Sequence, residues 1–301
     1  MKHTLKVTVA LVLFFFLAQF IGLLVINQYI DHKKTIEAKE IVLKPLPYGF
    51  ERPEVKNQSA SFIYITVAIL IGTFLVLLLI RFRKQFIWKY VFFIAIWTTL
   101  SISFAAFINT AAAAILALIV SILRLYKPNM LIQNLSEIFI YGGLAASVIN
   151  IFNLLAAFML LIIISIYDYI AVFKTKHMIK LANFQSNSKV FAGLLIPYEK
   201  GKLSIKPKPI SSSIKKEKDS RVAILGGGDI GFPLIFAGVV MKGLMLKETV
   251  LVGFLKTMII PVFVSLALLF LLIKGQENKF YPAMPVLSIG CFIGYLVVLV
   301  V

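Results

Sequence analysis

The chain has 301 residues, 60% of them apolar, and a mean hydropathy of +0.95. Soluble domains usually hold about 45–50% apolar residues, so an ordinary soluble fold is excluded. At about 20 residues per bilayer crossing, the apolar content sets a ceiling near nine helices and leaves little for a soluble domain. Thirty-one Lys and Arg against thirteen Asp and Glu give a net charge of +18. In a membrane chain that excess reports loop orientation first, and nucleic acid is not expected as a partner. The single cysteine, Cys291, excludes an intramolecular disulfide, and three scattered histidines leave no thiolate-imidazole metal cluster. No metal or other cofactor is expected.

The first apolar run covers residues 5–30, behind a short basic start. It is longer than a signal-peptide core of about 7–15 residues and ends at no convincing cleavage site, so it reads as a retained first helix. Residues 31–60 form a mixed-charge loop containing Pro45, Pro47 and Pro53. The second to sixth spans are predicted at 61–80, 86–108, 110–125, 130–147 and 150–173, with Asn109, Pro128, Asn150 and Asn153 at the breaks. Apolar density then falls over 174–221, where Lys206-Pro207-Lys208-Pro209 and Ser211-Ser212-Ser213 predict a basic, flexible cytoplasmic loop. The last three spans are predicted at 222–246, 249–273 and 282–301. The expected organisation is six transmembrane helices over 1–173, the loop, and three more over 222–301, an all-α membrane protein. Twenty-two of the thirty-one basic residues fall on the side of the amino terminus. This bias predicts a cytoplasmic amino terminus and an extracytoplasmic carboxyl terminus; Lys242, Lys247 and Lys256 do not follow it.

Nearly all the acids lie in loops or at span ends. Two do not: Asp168, six residues before Lys174, and Asp229, eight residues after Arg221. At about 1.5 Å per residue they share a depth on consecutive, antiparallel spans. An ionised carboxylate inside a bilayer is expensive, so an intramembrane acid points to function; the bland alternative is a helix-helix hydrogen bond or a snorkelling group. Two facing acids in low dielectric cannot both ionise and so share one proton. That is the electrostatic condition of an aspartic protease, in which one carboxylate takes a proton from water while the other polarises the scissile carbonyl. Gly226, Gly227 and Gly228 disfavour a regular helix before Asp229, and Pro233 weakens it beyond. Such irregular backbone at membrane depth suggests that water reaches Asp229. A third feature is Tyr281-Pro282-Ala283-Met284-Pro285 at the start of the last span, which on its own reads as a helix start.

Tyr167-Asp168, Gly226-Gly227-Gly228-Asp229 and Pro282-Ala283-Met284 resemble the Tyr-Asp, Gly-x-Gly-Asp and Pro-Ala-Leu motifs of the presenilin and signal peptide peptidase family. Their order and spacing agree over essentially the whole chain, and Asp229-Ile230 with Pro233 looks closer to the signal peptide peptidase branch and its archaeal relatives. Met284 departs from the family's leucine. The resemblance implies an intramembrane aspartyl endopeptidase with Asp168 and Asp229 as catalytic pair, supported by Tyr167, Gly226, Gly227, Gly228, Pro282, Ala283 and Met284. It also implies multi-pass residence in a cell membrane of archaeal type, with transmembrane-helix proteins as substrates and no accessory subunit required. In the family an unwound substrate pairs as a strand near these motifs, which here singles out residues 221–225 and the backbone of Pro282-Ala283-Met284.

Rival chemistries lack their residues. There is no His-Glu-x-x-His for a zinc enzyme, nor a Gly-x-Ser-x-Gly with an intramembrane histidine, since His3, His32 and His177 fall outside the spans. Prepilin peptidases share Gly-x-Gly-Asp but are not expected to carry the Pro-Ala-Met segment. A cation-coupled transporter using Asp168 and Asp229 is the reading from another class, and such sites usually lie nearer the midplane. Glu137 reads as a third membrane acid or an interfacial one, without a catalytic role, and Lys256 as a snorkelling or paired lysine.

Overall fold

The computed structural model describes residues 4–55, 57–82, 85–127, 129–174, 191–198, 222–275 and 281–301. Helix α1 (Leu5–Tyr29) is followed by the short α2 (His32–Ala38), then by α3 (Ser61–Arg81), α4 (Gln85–Ala105), α5 (Thr110–Tyr126), α6 (Met130–Val148) and α7 (Leu154–Phe173). Strands β1 (Gly193–Pro197) and β2 (Val222–Gly226) precede α8 (Gly227–Leu244), α9 (Val250–Thr257), α10 (Ile259–Lys274) and α11 (Met284–Val300). Among the described residues, seven helical segments are long and apolar enough to cross a membrane, taking α9 and α10 as one; α5 and α11 are shorter apolar helices.

Asparagines start three successive helices. The side-chain oxygens of Asn109, Asn129 and Asn153 accept the N–H groups of Ala111, Leu131 and Ala156 at 2.8, 3.0 and 2.9 Å. Each thereby satisfies a donor that the first helical turn cannot. Lys242, one of the lysines that broke the charge pattern, does the converse work. Its ammonium donates to the carbonyls of Ile149 and Phe152 at 2.7 and 3.0 Å, where the chain leaves α6 and turns into α7. Lys256 pairs with Glu248 at 2.5 Å across the turn between α8 and α9.

The expectations fail in four places, each for a local reason. The loop over 31–60 contains α2 and is tied to the bundle: Arg52 donates to the carbonyls of Ala146 and Lys44 at 3.2 and 2.6 Å and lies over the Tyr29 ring. The all-α expectation misses an antiparallel two-stranded sheet pairing Gly193 with Gly226 through Pro197 with Val222. Strand β1 therefore lies inside the segment expected to be a flexible loop, most of which falls outside the described residues. The seventh span starts as strand β2, and its helix begins only at Gly227. The eighth is broken at Met258, three residues before Pro261, whose missing N–H leaves the carbonyl of Thr257 without its helical donor.

Helix α1 lies in the middle, packed against α6, α8, α10 and β1. Its buried Gln19 donates to the carbonyl of Ile230 at 2.8 Å, in the proline-weakened first part of α8. The three helices that carry the motifs are clamped by one aromatic cluster. Phe158 of α7 meets Phe236 of α8 and Phe292 of α11 at centroid distances of 5.0 Å each, and Tyr295 closes the group at 5.3 Å. Rings in these tilted and edge-on contacts add about 0.5–1.5 kcal/mol per pair beyond their burial.

Small residues set the helix spacings. A methyl group on Gly143 of α6 would stand 1.9 Å from the carbonyl oxygen of Thr99 in α4, and on Gly294 of α11 it would stand 2.9 Å from the Cα of Ile260 in α10. Close backbone approach of this kind supplies packing where lipid gives helices no hydrophobic drive to associate. Gly143→Ala is expected to push α4 from α6, costing about 1–3 kcal/mol and lowering the thermal midpoint in detergent; an unchanged midpoint would contradict this packing.

Candidate active site

Asp168 lies on α7, five residues before the helix ends at Phe173, and is 7% exposed. Its Oδ2 accepts the N–H of Met284 at 3.1 Å, and the N–H of Ala283 also faces this carboxylate. Both amides sit at the start of α11, where no earlier turn supplies them with an acceptor. The role of the Pro282-Ala283-Met284 segment is thus visible in the backbone: it aims a helix amino terminus at an acid on another helix. Pro285, in the second position of α11, suits that first turn because its missing N–H would have no helical partner. The Met284 side chain is buried beside the core, so methionine fills its place as an apolar group. Ser288, one turn on, is 2.8 Å from Ser165 of α7 and holds the two helices together on this side.

Asp229 is the third residue of α8 and is partly exposed. Its Oδ2 lies 3.3 Å from where a methyl group on Gly226 would stand, so the carboxylate folds back over the turn that precedes its own helix. An acid in this first turn is favoured by the helix dipole. Gly227, beneath it, faces Tyr141 of α6: a methyl group there would come within 2.5 Å of the tyrosine oxygen. Gly228 has more room, with Phe232 at 3.3 Å from the corresponding point.

The predicted site residues therefore form two clusters. Asp168, Ala283 and Met284 meet directly, while Asp229 folds over Gly226 and Gly227 packs on Tyr141. The clusters stand on α7, α8 and α11, which pack against one another. Tyr167 points elsewhere: its hydroxyl donates to Thr73 of α3 at 3.3 Å, and its ring lines an apolar cavity of about 190 Å³ between α3 and α7. Consecutive helical residues point about 100° apart, which separates Tyr167 from the contacts of Asp168.

Strand β2 runs straight into the glycines, and its hydrogen bonding can be read residue by residue. The N–H of Gly227 donates to the carbonyl of Ala192 at 3.2 Å, which makes that pair hydrogen-bonded. Antiparallel pairs alternate, so Leu195 and Ile224 form a pair whose N–H and C=O groups point away from each other. On the β1 side Asn134 of α6 takes both groups of Leu195, at 2.9 and 2.8 Å. On the β2 side the same parity turns Val222 and Ile224 toward the outer edge, and Ile224 is 48% exposed.

Reading the sequence missed a polar stripe on α6. Glu137 is 1% exposed, ion-paired with Arg124 of α5 and accepting the hydroxyl of Tyr141. Gln133 donates to Glu137 at 3.1 Å and to the carbonyls of Phe191 and Gly193 at 2.9 and 3.0 Å. The signal was present: Gln133, Glu137 and Tyr141 recur every four residues on one face of an otherwise apolar helix. Among the described residues, no group of three or more His, Cys, Asp or Glu side chains could hold a metal ion.

Comparison with known proteins places the chain in a family. The family described as signal-peptide peptidase, presenilin aspartyl protease matches residues 21–301. A solved structure of a presenilin family intramembrane aspartate protease in space group C222 is similar, with a TM-score of 0.58 and 20% identity, covering 97% of this chain and 98% of that one. One in space group P2 gives a TM-score of 0.56 and 19% identity, covering 97% and 96%. At such identities the likeness shows the fold. No relative matches among curated proteins. With a family match over nearly its whole length, the chain belongs to the signal-peptide peptidase and presenilin aspartyl proteases and is an aspartic intramembrane protease.

Proposed function

We propose that Asp168 and Asp229 are the catalytic pair, hydrolysing peptide bonds within transmembrane helices or signal-peptide remnants with water as nucleophile. What supports this reading is that α7, α8 and α11 pack against one another, with β2 leading directly into Asp229 at the start of α8 and the backbone of α11 meeting Asp168 near the end of α7. In the reaction the ionised carboxylate takes a proton from water, and the water oxygen attacks the scissile carbonyl carbon. The protonated carboxyl gives its proton to the carbonyl oxygen, forming a tetrahedral diol. On collapse the first acid protonates the leaving nitrogen and the second regains a proton from a diol hydroxyl, which restores the pair. The amides of Ala283 and Met284 orient Asp168 throughout.

A helical substrate must unwind before it can be cut, and its freed backbone groups then need partners in a medium that offers none. The outward N–H and C=O groups of Val222 and Ile224 provide them by strand addition, and they stand a few residues from Asp229. The apolar cavity between α3 and α7 is a side entrance for a helix. Helix α3 has no buried residue in its apolar window, so it can yield at small cost. In this reading the seven long helices and the two shorter ones all cross, the amino terminus is cytoplasmic, and the protein resides in a cell membrane of archaeal type. It works without an accessory subunit.

Two experiments test the reading. Detergent-purified protein should cleave a single-span helical substrate, and Asp168→Asn and Asp229→Asn should each abolish cleavage while the thermal midpoint and size-exclusion profile persist. Full activity in either variant would sink the assignment. Ile224→Pro removes one outward N–H, and losing one such hydrogen bond, worth about 0.5–1.5 kcal/mol, should raise KM about threefold to tenfold. An unchanged KM would rule out pairing along this edge.

A further inference from the structure

We propose that Tyr141 is a positioning residue for Asp229: its ring and hydroxyl, held by Glu137 and Arg124, set the height of the Gly226–Asp229 turn. This rests on the reading of Asp229 as a catalytic acid and names what holds it. The Tyr141 ring lies along α8 over one turn. Measured from methyl positions, its Oη is 2.5 Å and its Cε1 and Cζ are 3.2 Å from Gly227, and its Cδ1 is 3.6 Å from Gly231. Asp229 lies between those two glycines in sequence, and its carboxylate is within electrostatic reach of the tyrosine hydroxyl.

The ring cannot easily shift. Its hydroxyl donates to Oε2 of Glu137, and Oε1 of Glu137 accepts from Arg124 and Gln133. Arg124 and Glu137 are 5% and 1% exposed. A buried ion pair is weak evidence for stability, since similar apolar packing often does as well; its retention on α5 and α6 calls for another account. What the stripe holds supplies one. Arg124 and Gln133 donate to the carbonyl of Phe191 at 2.9 Å each, Gln133 reaches Gly193, and Asn134 takes Leu195. One face of α6 therefore fixes β1, through β1 the outer strand β2, and through Tyr141 the turn that ends β2 and carries Asp229. The strand edge and the acid share a single mount.

The Gly-x-Gly-Asp pattern leaves its second position open, yet here that position is Gly227, and the tyrosine oxygen leaves no room for a side chain. Gly227 and Tyr141 are thus a matched pair in this chain. The reason for such a match is geometric, because catalytic groups must be held to about 0.5 Å and a misplacement of about 1 Å can cost about 100-fold in rate.

The test uses the full chain in detergent. Tyr141→Phe keeps the ring on Gly227 and Gly231 and deletes the hydroxyl. It should lower kcat about 10-fold to 100-fold, leave KM within about twofold and the thermal midpoint nearly unchanged, and speed amide hydrogen exchange over residues 226–230. Gly227→Ala, whose methyl displaces the hydroxyl, should lower kcat by at least a comparable factor. Combined with Tyr141→Phe it should lose less than the product of the two single losses. An unchanged kcat and exchange pattern in Tyr141→Phe would overturn the proposal, as would fully multiplicative losses or a kcat loss matched by global destabilisation. Failure of the protease reading would look different: Asp168→Asn would still cleave, while exchange at 226–230 would still report whether Tyr141 holds the turn.

Discussion

An amide or carbonyl left without a partner in hydrocarbon costs several kcal/mol, and this requirement organises the molecule from its helix ends to its active site. Asn109, Asn129 and Asn153 answer it at helix starts, and Lys242 answers it where α6 gives way to α7. Gln19 answers it beside Pro233, and Asn134 along the inner edge of the sheet. At the start of α11 the answer is Asp168 itself, whose carboxylate accepts an amide that has no helical acceptor. The acid proposed to conduct the chemistry is thereby also a helix cap from another chain segment. A substrate drawn into the same environment would face the same requirement, and the outer edge of β2 is the place proposed to meet it.

The site is assembled from segments far apart in the chain, and three kinds of contact bring them into place. Aromatic packing among Phe158, Phe236, Phe292 and Tyr295 clamps α7, α8 and α11 well away from the acids. Hydrogen bonding adjusts them near the acids, through Ser165 with Ser288 and Asp168 with Met284. A buried charge network on α5 and α6 then holds the sheet and the turn before Asp229. Apolar contact is non-directional and can gather helices, whereas setting a carboxylate against a carbonyl requires the directional bonds. That division explains why the polar residues of this apolar chain concentrate where they do.

Burial differs sharply among the apolar helices. Helix α8 is the most enclosed, with 67% of its apolar window buried, whereas α3 has none. The helix that carries Asp229 is thus largely enclosed, while α3, which packs beside the helix that carries Asp168, is held by few buried contacts, among them Tyr167 to Thr73. Regions with few buried contacts open at low free energy, which suits the side entrance proposed there.

Much of this was legible in the residues themselves. Apolar runs set the helices because hydrocarbon demands about 20 such residues per crossing, and Asn109 and Asn153 marked their breaks. Asp168 and Asp229 stood out because acids are rare at membrane depth, and the flanking motifs pointed to the family. The sheet was not legible in full: Val222 and Ile224 have strand character, but their partner at Gly193–Pro197 lies in a segment of low apolar density and is held largely by Asn134 and Gln133 from α6. The burial of Glu137 was not legible because it depends on Arg124, a residue from another helix. Sequence alone therefore determined which segments are apolar enough for a membrane and which acids stand out among them, since both follow from transfer cost along the chain. Only the tertiary structure decided which groups meet those acids, because hydrogen bonds and steric exclusions, such as that between Gly227 and Tyr141, depend on distances between residues that the chain order leaves open.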